Sequence, residues 1–285
     1  MFRFYCALCL LLTSLLSACT PVEEQPSDPP PASDTAFTEV DLDSFFVDIE
    51  GTFVMQDAQT GKTHIHNPER ARTRFLPAST FKIPNSLIAL ETGVAIGSDF
   101  ALPWDATAVP PQEWWPDAWR QPEQTLRSAF QNSVVWYYQE LARRIGEERM
   151  AAYVTQFDYG NEDIGGGIDQ FWLNGDLRIS PIEQVAFLQH FYKGDLGVSD
   201  STTAIVKDIM LLEETPAYRL SGKTGTAEIT DTRALAWLVG FVERGEDVYF
   251  YALNIEGETV WEQWPPQQRA DLVRQILQAL AVLPA

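Results

Sequence analysis

The segments densest in strand-forming residues lie at opposite ends of this chain. Near the start, Gly51 to Asp57 and Lys62 to His66 read as a hairpin closed around Thr60-Gly61. Near the end, Ala234 to Val242 and Val248 to Ile255 are dense in apolar residues, with Gly245-Glu246-Asp247 as the turn between them. Helical periodicity fills the middle, over Leu126 to Ile145, Glu147 to Phe157 and Pro181 to Tyr192, and an amphipathic helix over Arg269 to Val282 closes the chain. This order predicts an α+β fold: a mixed antiparallel sheet built from N- and C-terminal segments, flanked by helices, with an inserted helical lobe. Pro103 to Pro122, rich in Trp and Pro, reads as an irregular stretch wrapping the surface. With 285 residues, 45% of them hydrophobic, the chain can bury one large core or two packed lobes.

The first residues read as a targeting segment. Arg3 precedes a compact apolar run, Phe4 to Leu16, that is too short to span a bilayer as a permanent helix. The run ends in Leu16-Ser17-Ala18-Cys19, which resembles the cleavage box of bacterial lipoproteins and implies lipidation of Cys19. An ordinary secretory signal with an incidental cysteine is the competing reading. The expected organisation is a signal peptide over 1–18, a disordered Pro-rich and acidic tether over 19–37, and a catalytic domain over 38–285. The mature protein is then exported and anchored at Cys19, facing the periplasm or the cell exterior. Cys6 and Cys9 leave with the signal, so no internal disulfide or thiolate metal site is expected. Twenty basic against 40 acidic residues argue against nucleic acid, and against a membrane contact other than the lipid anchor. Whether the protein is a monomer or a homodimer stays open.

The chemistry concentrates in Ser79-Thr80-Phe81-Lys82, joined far downstream by Lys223-Thr224-Gly225. A serine and a lysine at this spacing arise by chance about once in a chain of this length, so the context has to carry the reading. Leu76 precedes Pro77 and is pushed toward extended backbone, so the approach to Ser79 reads as extended. Thr80 to Thr92 reads as a helix stopped at Gly93, which puts Ser79 at its N-terminus, where negative charge is favoured. Lys82, three residues on, projects from the same face. The same segment also fits a core helix whose lysine snorkels to water. His64 and His66 alternate along a strand without a third histidine nearby and read as solvated side chains. His190 lies on an amphipathic helix as a surface residue. Ser79 therefore has no histidine partner, and its base must be another group.

Six elements in order resemble the class D (oxacillinase-type) serine β-lactamases, from Phe53 to Ala279. They are Pro77-Ala78-Ser79-Thr80-Phe81-Lys82-Ile83-Pro84-Asn85, Ser133-Val134-Val135, Tyr159-Gly160-Asn161, Phe171-Trp172-Leu173, Lys223-Thr224-Gly225 and Trp237-Leu238-Val239-Gly240-Phe241-Val242-Glu243. The resemblance implies a β-lactamase/transpeptidase-like fold and a small-molecule β-lactam substrate. It implies that Ser79 attacks the lactam carbonyl and that Lys82, carboxylated by CO2, is the general base, with no bound cofactor and no metal. Phe81, Val135 and Leu173 would wall a dry carbamate pocket, and Trp172 would donate its indole N–H to the carbamate. Ser133 would relay a proton to the leaving nitrogen and Lys223 would raise the local positive potential. Thr224, Gly225 and Thr226 would line the substrate, with the backbone N–H groups of Ser79 and Thr226 as the oxyanion hole. Arg269 would hold the substrate carboxylate, with Arg274 as a competitor. Tyr159-Gly160-Asn161 would pin the loop carrying Trp172.

The chain departs from the family pattern at Thr226, where an aromatic is common, in the segment Glu256 to Gln268, and in the Trp-rich stretch Trp104 to Trp119. Substrate range is therefore open. Two alternatives share parts of the pattern: a non-hydrolytic β-lactam sensor or penicillin-binding domain, and a D,D-peptidase. The peptidases usually carry Ser-x-Asn where this chain has Ser133-Val134-Val135.

Overall fold

The computed structural model describes residues 37–258 and 260–284. The expected signal peptide, Cys19 and nearly all of the tether lie outside the described residues. Phe37, assigned to the tether by the sequence, is already paired in a strand.

Seven strands form one sheet in the order β1-β3-β2-β9-β8-β7-β6. They are β1 (Phe37–Glu39), β2 (Glu50–Asp57), β3 (Thr63–His66), β6 (Leu211–Glu214), β7 (Arg219–Thr230), β8 (Arg233–Arg244) and β9 (Asp247–Gly257). All neighbours are antiparallel except β1 and β3. The N-terminal hairpin joins the C-terminal strands through β2 and β9, where Gly51 faces Ile255 and Asp57 faces Tyr249. This is the sheet expected from the strand-rich ends.

Both faces of the sheet are covered, and the side chains sort by the two-residue period of a strand. Along β8, Leu235, Trp237, Val239 and Phe241 enter one core, while Ala234, Ala236, Leu238 and Val242 enter the other. The first core is completed by helices from the middle of the chain: α2 (Lys82–Glu91), α4 (Val135–Ile145), α5 (Glu147–Gln156) and α6 (Pro181–Lys193). The second is covered by α9 (Pro266–Ala279) through Leu272, Val273, Ile276 and Leu277. The remaining helices are α1 (Pro68–Arg72), α3 (Leu126–Gln131), α7 (Asp200–Ile209) and α8 (Val260–Gln263). Helix α6 shows its bounds in sequence: Ser180 and Glu183 form a capping box, Pro181 opens the first turn and Gly194 closes it left-handed.

The structure differs from the sequence reading at several points. The stretch Leu126 to Ile145 is two helices, α3 and α4, broken around Ser133. The Trp-rich stretch is partly ordered by a two-stranded ribbon of β4 (Ala101–Pro103) and β5 (Glu123–Thr125), and Trp115 and Trp119 are buried. His66 is buried rather than solvated, stacked on Phe46 at 4.6 Å. The approach to Ser79 begins extended, with Phe75 bridged to Ile179, but does not stay so: Pro77 is helical and Ala78 is left-handed with φ of 49°.

Candidate active site

Ser79 sits in a 3₁₀ turn, Ala78–Phe81, immediately before α2. The expected helix N-terminus is thus shifted: α2 starts at Lys82, one turn after the serine. The left-handed Ala78 is a non-glycine strain of the kind found at functional sites. Three contacts hold the turn. The Thr80 hydroxyl donates to the Pro77 carbonyl at 2.7 Å, and the Trp237 indole on β8 donates to the Leu76 carbonyl at 3.0 Å. Gln184, wholly buried on α6, donates to the Thr80 hydroxyl at 2.9 Å and to the Tyr159 hydroxyl at 3.2 Å. From the other side β7 presses against the turn at Gly225. A Cβ there would lie 2.9 Å from the Pro77 carbonyl oxygen and 3.1 Å from Thr80 Cγ2, so only glycine lets strand and turn meet.

Lys82 does not snorkel. It is completely buried, and its Nζ lies 2.8 Å from the Ser79 Oγ. Burial, and after it the neighbouring Lys223 ammonium, holds this amine well below the ordinary lysine value. The Lys82 Nζ lies over the Tyr138 ring, 5.2 Å from the centroid, and the adjacent Phe81 belongs to an aromatic cluster. Phe81 stacks on Trp172 at 5.5 Å and meets Phe171 and Tyr159 edge-on at 4.9 and 5.6 Å. Val135, at the start of α4, and Leu173 are half-buried against the same core. The indole Nε1 of Trp172 is buried without a hydrogen-bond partner among the described residues. A buried orphan donor of this kind calls for an acceptor.

Ser133 carries the second hydroxyl. Its Oγ lies 3.1 Å from the Nζ of Lys223 on β7. Its backbone is left-handed, φ 57°, and the reason is the end of α3. Val134 N–H bonds the Ala129 carbonyl and Ser133 N–H bonds the Phe130 carbonyl, the paired bonds of a Schellman ending. Ser133 fills the left-handed position that glycine normally takes. Lys223 Nζ also reaches the Thr224 carbonyl at 3.0 Å and its hydroxyl at 3.4 Å. Burial first, and Arg269 second, lower Lys223 to about 7.

Strand β6 pairs only with Arg219 to Ser221, so among the described residues no strand covers the edge of β7 from Lys223 onward. Arg269 reaches that stretch from α9. It donates to the Gly225 carbonyl at 2.8 Å, the Trp237 carbonyl at 3.1 Å, the Trp264 carbonyl at 2.7 Å and the Thr226 hydroxyl at 3.0 Å. All four acceptors are uncharged, so its charge is not neutralised by these contacts, although burial lowers its pKa to about 10. Arg274 instead pairs with Glu213 and Asp271, away from this edge. Of the two arginines, only Arg269 joins the Lys223-Thr224-Gly225 strand.

The structure thus brings together Ser79, Lys82, Ser133, Lys223, Thr224, Gly225, Thr226 and Arg269, with Trp172 behind Phe81. The loop carrying Trp172 is pinned by Asn161, which donates to the Asp176 carbonyl at 2.9 Å and accepts from Arg178 N–H at 2.8 Å. The sequence reading gave no role to Gln184, Trp237 and Trp119. Trp237 had a visible signal in the motif that opens at it, whereas Gln184 is one polar residue on an apolar helix.

Comparison with known proteins agrees with this geometry. Residues 51–278 match the model for the penicillin binding protein transpeptidase domain. The chain is 41% identical to beta-lactamase OXA-5 of Pseudomonas aeruginosa, over 73% of this chain and 76% of that protein. The solved structure of class D beta-lactamase BAT-2 superposes with a TM-score of 0.77 at 39% identity, covering 86% of this chain and 98% of that one. The C-terminal domain of the Bacillus licheniformis BlaR penicillin-receptor superposes with a TM-score of 0.80 at 34% identity, covering 87% and 98%.

Proposed function

Since this chain belongs to the class D β-lactamase family, we propose that it hydrolyses β-lactams through an ester on Ser79, with Lys82 carboxylated by CO2 as the base. The observation that carries the reading is a wholly buried Lys82 whose sequence neighbour Phe81 stacks on Trp172, an indole with no acceptor among the described residues. CO2 adds only to a neutral amine, and burial favours that form of Lys82. The resulting carboxylate supplies a base at neutral pH where no histidine stands, and Trp172 is the donor that would hold it.

Ser79 Oγ attacks the lactam carbonyl and gives its proton to the carboxylate on Lys82 as the new C–O bond forms. The backbone N–H groups of Ser79 and Thr226 lie at the turn and on the β7 stretch without a second strand neighbour, and they would stabilise the oxyanion. The ring C–N bond breaks, and Ser133, bonded to Lys223, passes a proton to the leaving nitrogen. Water then cleaves the ester and restores Ser79. Lys223 and Arg269 keep this edge positive for the substrate carboxylate.

The test is steady-state hydrolysis of a chromogenic cephalosporin by the folded domain, with and without bicarbonate. Turnover that rises with bicarbonate supports both the reaction and the base. A single stoichiometric burst in bicarbonate would instead favour a penicillin receptor. We also propose export with a lipid anchor at Cys19, supported by Leu16-Ser17-Ala18-Cys19 and the polar stretch after it. Cys19→Ser should release the protein from the membrane fraction, and its retention there overturns the anchor.

A further inference from the structure

Ser133 holds a left-handed backbone conformation that disfavours a residue with a Cβ, so something around it must over-determine it. Asn132 and Trp136, before and after Ser133 in the chain, both bond to Trp119. The Trp119 indole donates to the carbonyl of Asn132, immediately before Ser133, at 2.7 Å. The Trp136 indole, three residues after Ser133, donates to the backbone carbonyl of Trp119 at 3.0 Å. Trp119 is therefore tied to the chain on both sides of the serine.

Trp119 is itself held. It lies in the 3₁₀ turn Asp117–Arg120, where its N–H bonds the Pro116 carbonyl at 2.9 Å. The residue is 7% exposed, and its ring packs against Trp115 at 5.6 Å and Trp114 at 5.5 Å. Trp114, 68% exposed, covers it from solvent. The Trp-rich stretch is thus joined by hydrogen bonds to the turn that aims a site hydroxyl.

We propose that Trp119 is a positioning residue for Ser133, fixing the left-handed turn so that the Ser133 Oγ stays on Lys223 Nζ. The inference rests on the reading of this site as one that acylates Ser79 with β-lactams. It says nothing about the deacylating base and holds for hydrolase and receptor alike.

Trp119→Phe keeps the aromatic packing and removes the donor to Asn132. The rate of Ser79 acylation by a fluorescent penicillin should fall about ten- to hundredfold, the scale of a small misplacement in a catalytic site. In a Ser133→Ala background the same change should cost less than about twofold, because residues acting through one another are non-additive. Trp136→Phe, which cuts the other tie, is the second variant if Trp119→Phe does not fold, and should behave alike. An unchanged acylation rate in Trp119→Phe overturns the inference, as does an equal loss with and without Ser133. No acylation of the wild-type protein overturns the underlying reading of the site and this inference with it.

Discussion

Phe81 and Trp172 stack with ring centroids 5.5 Å apart and planes 26° from parallel, and the indole N–H of Trp172 meets no acceptor among the described residues. The stacking fixes the ring beside the segment that carries Lys82, while the polar edge stays uncommitted.

Trp172→Phe keeps most of the packing and removes the donor. A hydrogen bond to a charged group contributes about 1.5–3 kcal/mol, on the order of ten- to hundredfold in affinity. The bicarbonate concentration that half-restores activity should rise by that factor, with near-normal turnover at saturation. An activation curve identical to that of the parent protein would remove Trp172 from this role.

Lys82→Ala removes the amine 2.8 Å from Ser79. General bases contribute about 10²- to 10⁴-fold, so turnover should fall on that scale and become indifferent to bicarbonate. Intact-mass measurement should show a slowly forming adduct on Ser79 that persists. Ordinary turnover by this variant would refute Lys82 as the base.

Gly225→Ala puts a methyl group against the Pro77 carbonyl and Thr80. Strand and turn must separate, at a cost of about 1–3 kcal/mol in stability. Activity should fall further than stability does, since the displaced turn carries Ser79. Denaturant unfolding and turnover measured on one preparation separate the two effects.

Lys223 links stability to pH. Its folded value of about 7 lies below the ordinary lysine value of 10.5, so between them the unfolded chain binds a proton that the folded chain has released. Stability should therefore rise with pH across this window, by at most about 1.4 kcal/mol per unit from this group. It should fall again as pH drops toward 7. Lys223→Met should reduce the slope between about pH 7.5 and 9.5 in CO2-free buffer, leaving the contribution of Lys82, which burial also holds below the ordinary lysine value. A variant with the parental slope would show that Lys223 keeps its proton in the fold.

The strand-rich ends were legible because buried strands in a covered sheet are apolar on both faces, as Ala234 to Val242 are. The break at Ser133 was not. A helix ending of this type is normally announced by glycine, and here the left-handed position holds serine, so the apolar period runs on unbroken from Leu126 to Ile145. The strands flanking the Trp-rich stretch span three residues each, too short to show an alternation. Ser79 and Lys82 could be paired by spacing, but whether the amine meets water or the serine depends on residues distant in sequence, such as Tyr138, whose ring lies against its Nζ. Gln184 and Trp119 act through bonds to Thr80 and Asn132 that no local pattern encodes.

The sheet places β2 against β9, pairing Gly51 with Ile255. On a growing chain, the nucleophile turn and its lysine are made early, but the strand that supplies Lys223 and Gly225 comes some 140 residues later and β9 later still. The N-terminal hairpin has no central partner until then, and contacts this far apart in sequence form slowly. The site is therefore completed last: no partial chain ending before β7 contains all of it, and acyl transfer begins only when the two ends of the protein have met.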